Sequence, residues 1–209
     1  MVPGFMPIVP SDKFTTLSYF AEASASSGTT ITVPAGIKGG DLIVLLDYAG
    51  SAPDETLPSG FTQAVKTSDG SNCFIGSYRI ANGSEGGTSI TGQSGFTVAK
   101  IMFVFRGNFA ISGVTSTSFT GQITSGNPSP INVTASGGTV PLVIFGSYLV
   151  GLGFGLSGVT FSPAQDGTVS ITDCEGRYKI YNSSPANTSI DQADSGGINV
   201  LNAFYLSVR

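Results

Sequence analysis

The chain of 209 residues contains no histidine and no tryptophan. Without histidine it lacks the commonest general base, the base of a Ser-His-Asp triad and the commonest ligand of transition metals. Without tryptophan it lacks one of the aromatic side chains that can stack on the face of a sugar. These absences argue against a serine hydrolase and a histidine-based metal site, and they weaken the case for a sugar-binding platform.

Charge is also scarce, because charged residues make up 11% of the chain and the net charge is −4. No basic stripe is present to neutralise phosphates, so we expect no nucleic-acid partner. No run approaches the roughly 20 apolar residues of a membrane-spanning helix, so we expect no membrane partner. The opening stretch MVPGFMPIVP lacks a basic region and is interrupted by prolines, unlike a signal peptide. We therefore expect assembly in a cytoplasm.

Few residues suggest a reactive centre. Cys73 and Cys174 lack the clustered spacing of a zinc site, and we interpret them as small buried thiols, with a disulfide as the alternative. No calcium-binding pattern is found. Neighbouring acids lie in polar segments, where solvated carboxylates are ordinary: Asp54 with Glu55, Asp173 with Glu175, and Asp191 with Asp194. We predict that the chain is not an enzyme and holds no cofactor or metal.

The residues that are abundant predict an all-β fold. Val, Ile, Thr, Phe and Tyr occur in short runs, and many of the 29 glycines separate these runs. The runs DLIVLLDYAG and PLVIFGSYLVG are almost continuously apolar, which is typical of strands buried on both faces. Glycine-rich segments such as GIKGG and GSEGG lack the context of a phosphate-binding loop and are interpreted as turns.

The chain also contains an internal repeat. GSYRIANGS at 76–84 recurs as GRYKIYNSS at 176–184, and without gaps 15 of the 60 residues at 31–90 are identical to those one hundred positions later. Composition alone would give about four or five identities. The shared residues are mostly apolar strand residues and turn residues, so the repeat specifies a fold and no active site.

This repeat predicts two tandem, duplicated antiparallel β-sandwich modules of jelly-roll or immunoglobulin-like type. We place module 1 at 15–108 and module 2 at 109–209, after an extended N-terminal arm at 1–14. The short join at 107–113 favours rigid packing of the modules. The alternative is a single sandwich whose two sheets descend from the two halves.

Two segments are candidate contact sites for a partner. The arm is held extended by prolines, and its apolar residues would be costly to leave in water. The loop GLGFGLSG at 151–158 places apolar side chains between glycines, where module 1 has a proline-containing acidic loop. Packing of either segment onto its own body is the alternative. The candidate contact residues are Val2, Phe5, Met6, Ile8, Val9, Leu152, Phe154 and Leu156.

Several segments together resemble a family of small β-rich proteins encoded by tailed bacteriophages, especially marine and environmental ones. They are VPAGIKGGDLIVLLDYAG, LPSGFTQAV, GSYRIANGSEGGTSITG, IMFVFRG, VPLVIFGSYL, FSPAQDG, YKIYNSSPANTSID and NVLNAFYLSV, and they extend from about Thr29 nearly to the last residue. The resemblance implies a structural protein of the virion and supplies no functional residues.

Two non-enzymatic roles fit this resemblance. The first is a capsid decoration or cement protein that binds the major capsid protein, forms homo-oligomers and is located in the virion. The second is a tail, neck or fibre component that recognises a host surface glycan. The absence of coiled-coil or fibrous repeats favours the capsid. Tyr181, which has alanine at the equivalent position of module 1, is the candidate for sugar stacking.

Overall fold

A computed structural model describes residues 17–51, 53–107, 111–122, 131–135, 140–150, 159–162, 164–171, 174–181, 186–192 and 198–208. The elements within these ranges are β-strands that pair in antiparallel fashion, which confirms the all-β prediction. The first half contains β1 (Ser18–Ala25), β2 (Thr30–Thr32), β3 (Leu42–Gly50), β4 (Thr62–Ser68), β5 (Asn72–Ile80), β6 (Ser89–Thr91) and β7 (Thr97–Arg106).

The second half contains strands of matching order and similar spacing. They are β8 (Ile111–Gln122), β9 (Ile131–Ala135), β10 (Val140–Val150), β11 (Val159–Ser162), β12 (Gly167–Ile171), β13 (Cys174–Ile180), β14 (Ala186–Gln192) and β15 (Ile198–Val208). The arm at 1–14 and the module boundary at 108/109 lie outside the described residues, so both stay predictions.

Two five-stranded sheets form the body of the molecule. The first has the order β1-β7-β3-β5-β4 and the second the order β12-β13-β10-β15-β8. Listed from β8, the second order is β8-β15-β10-β13-β12. Each of these strands lies about one hundred residues after the strand at the same place in the first sheet. Two smaller sheets, β2-β6 and β11-β14-β9, also come one from each half.

The largest apolar core among the described residues lies between the two five-stranded sheets. Alternate residues of β3, including Leu42, Val44 and Leu46, share this core with Leu142 and Phe204 of the second half. Because side chains alternate along a strand, the residues between them face the opposite way. Ile43 and Leu45 of β3 therefore pack into a second core on that side, together with β2 and β6. Its other members include Ile31, Val33, Met102 and Val104. The prediction that this strand is buried on both faces is confirmed.

Three glycines allow the sheets to approach closely. A Cβ atom on Gly76 would lie 2.4 Å from Cε1 of Phe204, and one on Gly146 would lie 2.4 Å from Cζ of Phe74. A Cβ atom on Gly176 would lie 2.8 Å from Cδ1 of Leu46. Each of these side chains belongs to the opposite half. Glycine is therefore required at these positions by space, since side chains of the opposite sheet occupy the volume of the missing side chain.

An aromatic cluster joins the two five-stranded sheets. The ring of Tyr178, from β13, stacks on Tyr19 of β1 at a centroid distance of 5.4 Å. It also meets Phe103 and Phe105 of β7 edge-on, at 5.3 and 5.1 Å. Edge-to-face aromatic pairs contribute about 0.5–1.5 kcal/mol beyond the area they bury. This cluster therefore adds specific geometry to the core between the sheets.

Both cysteines are buried and no disulfide joins them, as the thiol interpretation predicted. The turn interpretation of the glycine-rich segments is also confirmed, because Gly36, Gly40, Gly83 and Gly87 have φ angles between 76° and 95°. Glycine adopts this left-handed region without the steric penalty that other residues incur.

Candidate functional site

The segment 92–96, which connects β6 to β7 and is called the Phe96 loop below, is the most distinctive surface feature of the described residues. The side chain of Phe96 is 91% exposed. The other large apolar side chains exposed in the described part of the chain are Tyr19, at 40%, and Val114, at 37%. A phenylalanine left almost entirely in water is a candidate contact residue, because its burial by a partner would be favourable.

Backbone hydrogen bonds hold the Phe96 loop on both sides. The Gly92 amide donates to the Thr29 carbonyl at 2.8 Å, and the Phe96 amide donates to the Gly50 carbonyl at 3.0 Å. In the middle of the loop, the Asp54 amide donates to the Ser94 carbonyl at 3.1 Å, and the Ser94 hydroxyl donates to an Asp54 carboxylate oxygen at 2.6 Å. The exposed ring is therefore carried by a well-anchored backbone.

Beneath the loop lies a fully buried ion pair. The Lys100 ammonium donates to Oδ1 of Asp47 at 2.7 Å, and neither side chain has any exposed surface. The ammonium also donates to the Gln93 carbonyl at 3.0 Å. The Gln93 amide donates to Oδ2 of Asp47 at 2.8 Å, and the Gln93 side-chain amide donates to the Asp47 carbonyl at 2.7 Å. The buried pair thus fixes the start of the Phe96 loop.

The register of the sheet places this pair in apolar surroundings. Asp47 of β3 and Lys100 of β7 are direct cross-strand partners. Their other cross-strand neighbours are Ile75 of β5 and Ala25 of β1. Burial raises the pKa of Asp47, and this effect outweighs the opposing influence of the Lys100 charge and the Gln93 hydrogen bond. The carboxylate therefore lies in a site that disfavours isolated charge.

Glycine at position 92 is part of this arrangement. A Cβ atom there would lie 2.1 Å from Oδ2 of Asp47 and 3.0 Å from Cε of Lys100. Any side chain at this position would displace the ion pair or the loop. The Gln93 side-chain oxygen is also enclosed, and it has no hydrogen-bond partner among the described residues.

A shallow depression of about 210 Å³ lies beside Phe96. Its wall is formed by the turn between β1 and β2 and by the start of β7, and its polar groups are mostly hydroxyls: Ser26, Ser27, Thr29 and Thr97. Sites for drug-sized ligands usually enclose roughly 300–1,000 Å³. The depression is therefore better suited to a single protruding group of a partner than to a complete small ligand.

The residues predicted as partner contacts are not brought together by the described structure. The five arm residues and the three loop residues all lie outside the described residues: Val2, Phe5, Met6, Ile8, Val9, Leu152, Phe154 and Leu156. Tyr181 is half-buried, and its hydroxyl is hydrogen-bonded with that of Thr188.

Three acids from the predicted pairs have structural partners: Asp54, Glu55 and Glu175. Glu55 accepts hydrogen bonds from Lys66 and Ser68, and these lower its pKa. Glu175 accepts one from Arg177 at 2.5 Å. No group of three or more Cys, Asp or Glu side chains suited to holding a metal occurs among the described residues. Within the same residues no helix is long and apolar enough to cross a bilayer.

Sequence reasoning missed both Phe96 and the buried ion pair. The relevant signals were available, because Asp47 interrupts the apolar run LIVLLDYAG and Lys100 interrupts TVAKIMFVF. Opposite charges at the centres of two buried strands predict a pair only when the register of those strands is known. Phe96 stands between glycine and threonine in a short polar segment, where an aromatic residue is unexpected.

In comparisons with known proteins, no family model, no curated protein and no solved structure matches the chain.

Proposed function

We propose that the chain is a non-enzymatic structural protein of a tailed bacteriophage virion, and specifically a capsid decoration or cement protein. The observation that carries the proposal is the anchored Phe96 loop, which presents an apolar ring on a rigid β-body. Preorganised aromatic anchors are favourable for association, because little conformational entropy is lost when they are buried by a partner. The resemblance to β-rich phage proteins supports the same assignment.

In this proposal the molecule consists of two duplicated β-modules preceded by an extended arm. The matching strand orders of the two five-stranded sheets support a duplication. The core between the sheets supports the view that the two halves now act as one sandwich. The arm at 1–14 and the loop at 151–158 would add contacts with the shell or with neighbouring copies.

The number of copies of this protein in each particle tests its location on the virion. Quantitative mass spectrometry of purified particles should find this chain at a copy number comparable with that of the major capsid protein. A handful of copies per particle would contradict decoration and favour a tail, neck or fibre component. The hydroxyl-lined depression beside Phe96 favours glycan recognition as the function in that case, and arrays of host surface polysaccharides would test it.

Two variants test the contact surface. Phe96→Ser should reduce incorporation into particles without lowering the melting temperature, because the ring is exposed and contributes little to the core. Val114→Ser, on the edge strand β8, is the matched control at another exposed apolar position. Equal incorporation of both variants and the wild type would exclude Phe96 as an anchor. Deletion of residues 1–10 should likewise leave a folded protein that fails to join its assembly, and full incorporation would exclude the arm.

A further inference from the structure

We propose that the side chains of Asp47 and Lys100 condense to an intramolecular amide, which would join β3 to β7 covalently. This inference is independent of the proposed function. Its basis is the geometry of one amine and one carboxyl group, which are enclosed together, directly opposed across two strands and hydrogen-bonded at 2.7 Å.

The reacting atoms are close enough for attack. With Nζ 2.7 Å from Oδ1, the Asp47 Cγ atom lies one carbon–oxygen bond further on, roughly 3–4 Å from Nζ. Near-attack conformers have reacting atoms about 3–3.5 Å apart, and well-oriented intramolecular reactions reach effective concentrations of about 10⁵–10⁸ M. Both groups are fully buried on adjacent paired strands, which restricts their movement apart.

The surroundings favour the neutral form of the Asp47 carboxyl group. Neither side chain has exposed surface, and the neighbouring cross-strand residues Ile75 and Ala25 are apolar. Separated charges are costly in such an environment, and burial raises the pKa of Asp47 accordingly. Transfer of one proton from the ammonium to Oδ1, along the existing hydrogen bond, yields an amine and a carboxylic acid.

The condensation that follows needs no further reactant, because its atoms and charges balance. The Nζ lone pair attacks Cγ, a carbon–nitrogen bond forms, and the bond from Cγ to Oδ1 breaks. Oδ1 leaves as water with the proton it received and a second proton lost by Nζ. Oδ2 becomes the carbonyl oxygen of the amide.

Gln93 would assist at both ends of the reaction. Its backbone amide donates to Oδ2 at 2.8 Å, where negative charge develops in the tetrahedral intermediate. A preorganised amide donor in this position stabilises such an oxyanion. Its carbonyl accepts from Nζ at 3.0 Å, which orients the amine beside Cγ.

The intact mass of the purified full-length protein tests the proposal. After folding and denaturation, the mass should be lower than the sequence mass by one water, about 18 Da. Tryptic digestion should yield peptide 39–66 joined to peptide 80–106, with no cleavage after Lys100. A mass equal to the sequence mass, together with separate peptides 39–66 and 80–100, would overturn the proposal.

Two variants identify the source of the mass change. Lys100→Arg retains Asp47 and the positive charge but removes the nucleophilic amine, and it should keep its full mass. If Lys100→Arg also lost water, the loss would come from cyclisation at an aspartate and the proposal would fail. Asp47→Ala should likewise keep its full mass. The wild-type measurement decides the matter even if neither variant folds.

Discussion

Replacement of Gly76 by alanine should destabilise the protein through the contact between the two sheets. The added Cβ atom would lie 2.4 Å from Cε1 of Phe204 and 2.8 Å from Cγ1 of Val65. Carbon atoms in contact are normally about 3.5–4.0 Å apart, so the Phe204 ring must move by about 1 Å. The ring cannot move freely, because it is fully buried in the shared core.

The expected magnitude follows from two opposing effects. Overpacking of a dense core costs about 1–3 kcal/mol. Alanine recovers about 0.5–1 kcal/mol relative to glycine within a strand. We expect a net loss of about 1–2 kcal/mol in the free energy of unfolding, which corresponds to a melting temperature lower by about 2–8 °C for a chain of this size.

Urea denaturation and calorimetry would measure this loss. Gly86→Ala is the matched control, because its added Cβ atom would lie no closer than 3.4 Å to its neighbours and its φ angle is not positive. That variant should differ from the wild type by less than about 0.5 kcal/mol. Phe204→Leu in the Gly76→Ala background should recover part of the loss. If Gly76→Ala were as stable as the wild type, the sheets would not be in contact at this point.

Three further predictions concern other parts of the molecule. Burial raises the pKa of Cys73 to about 11, so its thiol should resist alkylation at neutral pH until the protein unfolds; rapid native labelling would contradict its burial. Glu85 should stabilise the turn at 82–85 at neutral pH, and the stability deficit of Glu85→Gln in urea titrations should shrink as the pH falls; a constant deficit would contradict a role for the charge. Residues 1–108 expressed alone should self-associate in sedimentation experiments, because they expose the apolar face of the first sheet; a soluble, cooperatively unfolding monomer would contradict the shared core.

The pH dependence at Glu85 follows from its environment. Burial tends to raise its pKa, but hydrogen bonds from the Asn82 and Gly83 amides and the nearby Arg79 charge outweigh burial and lower it. A carboxylate with a lowered pKa stabilises the folded state fully above its unfolded pKa of about 4.3. That contribution is lost as the pH falls through the lower pKa of the folded state.

The sequence was sufficient to predict the all-β class and the burial of β3. Alternation and apolar runs report which faces of a strand are covered, and they gave the correct result for Leu42–Gly50. They do not report which sheet provides the cover. The contact of Gly76 with Phe204 depends on the stacking of strands 128 positions apart, since 204 − 76 = 128, and no local pattern encodes this.

The candidate site was harder to predict for a related reason. The Asp47–Lys100 pair arises from the register of β3 against β7, and a shift of one residue would separate the two side chains onto opposite faces. Phe96 is distinctive because its ring is exposed, and the exposure of a side chain cannot be read from the sequence alone. The internal repeat gave no indication of the pair either. At the corresponding place in the second half, the cross-strand partners are Ser147 and Leu201, which carry no charge.

The location of Phe204 in β15 has a consequence for biosynthesis. The first half emerges from the ribosome complete with β1 to β7, yet the part of its apolar face around Gly76 lacks the Phe204 ring until β15 has been synthesised. At about 5–20 residues per second, the nascent chain exposes this apolar face for about 5–20 s. During this interval two nascent chains on one polysome could pair their first sheets with each other. The order of strands along the chain therefore leaves this part of the core to be completed only after the whole first half has been synthesised.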